Sequence, residues 1–200
     1  MFVLTADQRG SRTGADLVGS GLALLSRSVP EPVRAFERTA GDEVQGVVGG
    51  AGEALEAVLA LTADGHWSVG LGVGPVEHPL PGSTRAGRGP AFTAAREAVE
   101  AAKTRHHHAA LVPAGLGDEA MQAVADADAV LALTLAVARR WSEEAREAVE
   151  LVRRGLTQTD AARHLGITRQ AVGQRLGAAL WRPQADALAV VVRLLERADA

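Results

Sequence analysis

Apolar positions in the first 115 residues recur with a period of two in some stretches and near 3.6 in others, which predicts strands and helices in alternation. Residues 2–6, Phe-Val-Leu-Thr-Ala, are an apolar run ending at Asp7, the pattern of a buried strand with a carboxylate at its C-terminal end. A polar loop over 8–14 leads to a helix at 15–27, with Leu17, Val18, Leu22 and Leu25 on its inner face and Pro30 and Pro32 beyond its end. Residues 33–39 and 43–48 read as two strands around the turn Ala40-Gly41-Asp42, a hairpin with an acid at its tip. A helix over 51–63 follows, and residues 66–73 alternate Trp67, Val69, Leu71 and Val73 on one face of a strand. The Pro-, Gly-, Ser- and Arg-rich stretch 78–90 is a long loop before a helix at about 90–103, and 109–112 is a short apolar strand. The order β-α-β-β-α-β-α-β predicts an α+β domain.

Beyond residue 115 the period is helical, so the expected division is an α+β domain over 1–115 and an all-α region over 116–200. Residues 117–139 are nearly all apolar, with Val124, Val130, Leu131, Leu133, Leu135 and Val137, and are expected to be buried between the two halves. A helix at 142–154 turns Glu143, Glu144, Glu147 and Glu150 outward. Pro183 is expected to break the chain before an amphipathic helix at 185–198, whose Leu188, Val191, Val192 and Leu195 could pack on the chain itself or hold a second copy. Residues 155–180 are the most informative stretch. Thr157 is suited to cap a helix at 158–165, Gly166 follows where a left-handed residue is needed, and Thr168 caps a second helix. Leu156, Ala161, Ala162, Leu165, Ile167, Val172 and Leu176 supply one buried face for the pair. That is the pattern of a helix-turn-helix. Its second helix carries Arg169, Gln170, Gly173 and Gln174, and Arg and Gln are the side chains that pair with guanine and adenine edges in a major groove.

Charge sharpens this reading. From Arg153 to Arg182 there are six arginines (153, 154, 163, 169, 175 and 182) and one acid, Asp160, a local charge of +5 in a chain of net −3. A basic module on an acidic protein suits phosphate neutralisation, and Arg163 and Arg175 join Thr168, Arg169, Gln170, Gly173 and Gln174 as candidate DNA-binding residues. The chain has 47% hydrophobic residues, no cysteine and no basic lead before its first apolar run, so disulfides and thiolate metal sites are excluded and a cytoplasmic location is expected. Its apolar runs read as too short to span a membrane. Of 21 basic residues only Lys103 is lysine. His106-His107-His108 invites a metal reading, but adjacent histidines rarely converge on one ion, and a solvated loop is the simpler expectation.

Asp7 and the Gly41-Asp42-Glu43 turn would lie side by side if their strands are neighbours, and paired carboxylates suit a hard divalent cation that in turn holds phosphate oxygens. Four segments then carry a resemblance: Thr5-Ala6-Asp7-Gln8-Arg9-Gly10, Arg38-Thr39-Ala40-Gly41-Asp42-Glu43-Val44-Gln45-Gly46, Val69-Gly70-Leu71-Gly72-Val73-Gly74-Pro75-Val76 and Gly87-Arg88-Gly89-Pro90-Ala91-Phe92. With them the chain resembles the SatD family over residues 1–180, and more distantly it is similar to the catalytic palm of class III nucleotidyl cyclases. The cyclase likeness implies a ferredoxin-like antiparallel sheet and metal-binding aspartates at Asp7 and Asp42, with Glu43 beside them. It implies Mg2+ or Mn2+ together with a nucleoside triphosphate, and Arg9, Arg38, Arg88 and Arg96 as candidate ligand-binding residues. Cyclases carry an Asn four residues before an Arg on the helix after the fourth strand, whereas this chain has Phe92 four residues before Arg96 and no Asn. The preferred reading is a DNA-binding transcriptional regulator with a cyclase-like sensory or assembly domain, acting as a homodimer on two half-sites. The alternative is a metal-dependent enzyme acting on nucleoside triphosphates.

Overall fold

The computed structural model describes Met1–Ala200 and has a mixed α+β architecture with one five-stranded sheet and eight α-helices. The elements are β1 (Phe2–Gln8), α1 (Val18–Ser28), β2 (Arg34–Arg38), β3 (Glu43–Val48), α2 (Ala51–Asp64), β4 (Trp67–Val73), α3 (Pro90–Thr104), β5 (Ala109–Pro113), α4 (Asp118–Ala138), α5 (Glu143–Arg153), α6 (Gln158–Leu165), α7 (Arg169–Ala178) and α8 (Trp181–Asp199). The chain forms two compact units, one of Met1–Ala132 with Val190–Ala200 and one of Leu133–Ala189, where the sequence suggested a division at 115/116.

In the first unit the strand order is β2-β3-β1-β4-β5. β1 is central and antiparallel to both β3 and β4, while β4 and β5 run parallel. Alternation along β1 sends Phe2, Leu4 and Ala6 to one face and Val3, Thr5 and Asp7 to the other. On the first face α1 meets β4 closely enough that a methyl on Gly21 would overlap the Trp67 ring. On the second, Val3 and Val47 pack with Ala91, Phe92 and Ala95 of α3. Here β4 has Gly70 and Gly72, and a Cβ on either would strike α3 backbone, at 2.2 Å from Val99 N and 2.1 Å from Ala91 O respectively. These glycines, facing an alanine-rich helix, let the α3 backbone lie directly on the sheet. The hairpin turn closes through Gly41 at φ 57°, with Glu43 N–H donating to Ala40 O at 3.0 Å.

Two helices differ from expectation. α4 is not buried all round: Ala123, Val124, Ala127, Leu131 and Leu135 face inward, whereas Leu133 is 69% exposed and Met121 42%. With 21 residues and a mean hydropathy of 1.5 it is also the one helix long and apolar enough to cross a membrane, where the sequence suggested none. Asp128 within it accepts from Arg105 at 2.7 Å and from Leu111 N–H at 2.9 Å, tying its middle to β5. α8 begins at Trp181, so Pro183 does not break the chain. A proline in the first turn forfeits no intrahelical hydrogen bond, because the N–H there has no partner anyway. The apolar face of α8 considered for a second copy is occupied within this chain, since Val191 and Leu195 are fully buried.

The second unit contains α5, α6 and α7 around Ala145, Ala148, Val149, Leu151, Ala161, Ala162, Val172, Leu176 and Ala179, with Leu156, Leu165, Ile167, Trp141 and Trp181 packed against them. Thr157 and Thr168 act as the caps the sequence suggests, and Ser142 adds a third at the start of α5. Ser142, Thr157 and Thr168 each accept from the N–H three residues on, at 3.2, 3.1 and 3.1 Å. Gly166 ends α6 at φ 68°, and Ile167 N–H returns to Ala162 O at 3.1 Å.

Candidate functional site

Burial on α7 is one-sided. Val172, Leu176 and Ala179 point into the second unit, and the opposite face presents Gln170, Gln174, Gly177 and Ala178, with Arg169 exposed at the N-terminus. Gln170 and Gln174 are four residues apart and share a face. Arg169, Gln170 and Gln174 are exposed, so their donors and acceptors can reach a partner. Gly173 is turned toward α6, where a Cβ would sit 3.7 Å from Gln158 Oε1. Thr168 is spent on its cap. Arg175 does not join the outer face: it reaches back to Glu144 O at 3.4 Å and Glu147 at 3.6 Å. Arg163 is exposed but bonded to Asp160 at 2.8 Å, and Arg154 to Glu150 at 3.0 Å. Arg182 is exposed.

A second site lies in the first unit. The C-terminal end of β1, the loop after it, the β2–β3 turn and the last turn of α3 enclose an open cleft of about 760 Å³, lined by Asp7, Ser11, Arg12, Asp16, Asp42 and Lys103 among others. Asp7 and Asp42 therefore do meet. The Asp42 carboxyl is held below the usual carboxylate range, first by a hydrogen bond from Ser11, then by its own backbone, by a hydrogen bond shared with Asp7 and by the Lys103 charge, against the cost of partial burial. Glu43 is level with Asp7 on β3, but its carboxylate is bonded to Thr39. Lys103 Nζ lies 2.5 Å from Asp7 and 2.6 Å from Glu100, and these partners hold its pKa above the ordinary lysine value. No three His, Cys, Asp or Glu side chains in the chain are arranged to hold a metal ion. As placed, the cleft fits a metal poorly: two carboxylates converge, and an ammonium already rests on one of them.

The four candidate arginines do not converge. Arg9 donates to Gly65 O at 3.0 Å, and Arg38 is paired with Asp16 at 2.5 Å on the rim of the cleft. Arg88 and Arg96 border a different opening of about 360 Å³, together with Arg85, at the start of α3. Pro90 and Lys103 are thirteen residues apart on that helix, about 20 Å at 1.5 Å per residue. His107 and His108 are half-buried in the turn before β5, and His106 is exposed.

Sequence reasoning missed Lys103, Ser11, Arg12 and Asp16 as cleft residues. The status of Lys103 as the one lysine in the chain was visible, and it was the usable signal. It also missed Glu37, which accepts from Ser83 Oγ, Thr84 Oγ1 and Arg85 N–H and so pins the 78–90 loop to β2. Compared with protein-family models, with curated proteins and with solved structures, the chain matches none.

Proposed function

We propose that this chain is a cytoplasmic DNA-binding protein, a transcriptional regulator that reads DNA through a helix-turn-helix formed by α6 and α7. One observation carries the reading: α7 buries one face and leaves Arg169, Gln170 and Gln174 exposed to solvent. Arg169 suits guanine and the two glutamines suit adenine, while Gly177 on the same face leaves room for a groove wall. Exposed Arg153, Arg154, Arg163 and Arg182 suit phosphates, whereas Arg175 serves the internal packing of the unit. Two copies on two half-sites would supply the affinity that a single wingless module lacks. The test is fluorescence anisotropy of labelled duplexes enriched from a random pool, with light scattering to give the mass. Saturable binding that Gln170→Ala and Gln174→Ala weaken selectively for the enriched sequence supports the reading. Equal binding of enriched and random duplexes by wild type overturns it.

We read the first unit as a ferredoxin-like palm of the kind the SatD and cyclase resemblance implies. The order β2-β3-β1-β4, with β1 antiparallel to both neighbours, supports that reading, and β5 adds to it in parallel. A second reading, binding of a nucleotide or another small polar ligand, is favoured by the meeting of Asp7 and Asp42 in an open cleft. A thermal-shift series with each nucleoside triphosphate tests it, and the same shift in Asp42→Asn removes the cleft from consideration.

A further inference from the structure

A hard divalent ion is held by several carboxylate oxygens at short range. The Lys103 ammonium has surroundings of that kind. Asp7 Oδ2 lies at 2.5 Å and Glu100 Oε1 at 2.6 Å, and Asp42 carries its charge on the same cleft wall, close enough for Lys103 to help keep it ionised. The residue type matters as well. Every other basic residue in the chain is arginine, 20 of them, and the one lysine stands where two carboxylates approach a single point. A compact ammonium suits such a point, whereas a guanidinium spreads its charge over a planar fork. α3 delivers Lys103 rigidly, because its backbone lies against Gly70 and Gly72 of β4.

We propose that Lys103 is the resident cation of this cleft: its ammonium, seated on Asp7 on the cleft wall that Asp42 shares, takes the position a divalent ion would need, so Mg2+ or Mn2+ enters only when Lys103 is removed. The inference rests on the cleft geometry and is independent of DNA reading. It also stands apart from the small-ligand reading, because no ligand other than the metal enters its test.

The experiment is a Mn2+ titration of the full chain followed by the electron paramagnetic resonance of free Mn2+, on wild type, Lys103→Met, Lys103→Arg and the double variant Lys103→Met with Asp42→Asn. Circular dichroism confirms that each is folded. Lys103→Met is expected to bind one Mn2+ at least tenfold more tightly than wild type, Lys103→Arg, which keeps the charge but spreads it over a fork, to bind more tightly than wild type and more weakly than Lys103→Met, and the double variant to lose the gain. A single lysine also gives a single side-chain signal in lysine-labelled protein. In wild type that signal is expected to move in Asp7→Asn and to stay put when Mg2+ is added up to about 1 mM, the weak end of carboxylate cation sites. A wild-type site that binds Mn2+ as tightly as Lys103→Met, a folded Lys103→Met variant with no gain, or a lysine signal displaced by Mg2+ overturns the proposal. If Lys103→Met does not fold, the labelled wild-type measurement decides alone.

Discussion

Gly70→Ala is a single-methyl change whose consequence can be worked from the contact between α3 and β4. An ideal Cβ at this position would stand 2.2 Å from Val99 N, 2.7 Å from Ala95 O and 2.7 Å from Ala98 C, all backbone atoms of α3. Backbone cannot rotate away as a side chain can, so the helix must retreat by about 1 Å to restore ordinary contact. A gap of that size forfeits roughly a quarter to a half of each dispersion well along the seam, and the seam includes Ala91, Ala95, Ala98 and Ala102, all fully buried. Overpacking a core costs about 1–3 kcal/mol, and a clash with immovable backbone belongs at the upper end, about 3 kcal/mol. For a chain of this size that lowers Tm by about 6–12 °C. Differential scanning calorimetry with Gly52→Ala as control measures it, since Gly52 lies in α2 with nothing within 4 Å of its would-be Cβ. A Gly70→Ala transition within about 1 °C of wild type would refute the close seating of α3 on β4, and with it the rigid delivery of Lys103.

Other consequences follow from single residues. Gly177 in α7 has open space where a Cβ would go, so Gly177→Ala should stabilise the second unit by about 0.5–1 kcal/mol in urea unfolding while weakening DNA binding, because the added methyl meets the groove; unchanged affinity would take Gly177 off the reading face. The Glu37 carboxylate is held below its ordinary value chiefly by the Ser83 hydroxyl, with the Arg85 N–H and Thr84 hydroxyl assisting. A depressed folded value means this stabilisation is present above the unfolded pKa of about 4.3 and is lost as pH falls through the folded one. Glu37→Gln should therefore cost about 1–2 kcal/mol at pH 7, a difference that shrinks as pH falls below the unfolded value and through the folded one, and a pH-independent difference in urea unfolding would contradict that account.

What was legible in the sequence was local. Thr157, Thr168 and Gly166 act on neighbours within a few residues, so their caps and turn can be read without knowing the tertiary structure. Strand and helix order was legible for the same reason, because Trp67, Val69, Leu71 and Val73 alternate on their own strand. The other face of that strand was harder: Gly70 and Gly72 look like weak strand residues until α3 is laid on them. Pro183 was misread because a proline is a breaker or a first-turn residue depending on where the helix starts. Leu133 was misread because composition counts apolar residues without saying which way each one points. The cleft lay furthest from reach, since Lys103 meets Asp7 only after three elements have packed, and Glu43 turns to Thr39 despite its place beside Asp7. Asp7 and Asp42 came together because a strand order that could be guessed makes their strands neighbours.

The central claim, that α7 reads DNA, is tested most directly by the salt dependence of duplex binding by the full chain, with wild type and Arg169→Ala measured in parallel. If two to five of the exposed arginines neutralise phosphates, the logarithm of the association constant should fall against the logarithm of salt with a slope of about −2 to −5. Arg169→Ala should lower affinity for the enriched sequence by about 1–3 kcal/mol and relax preference at one base. Binding that is absent at micromolar protein in low salt, or present but unchanged by Arg169→Ala, Gln170→Ala and Gln174→Ala, would contradict the account.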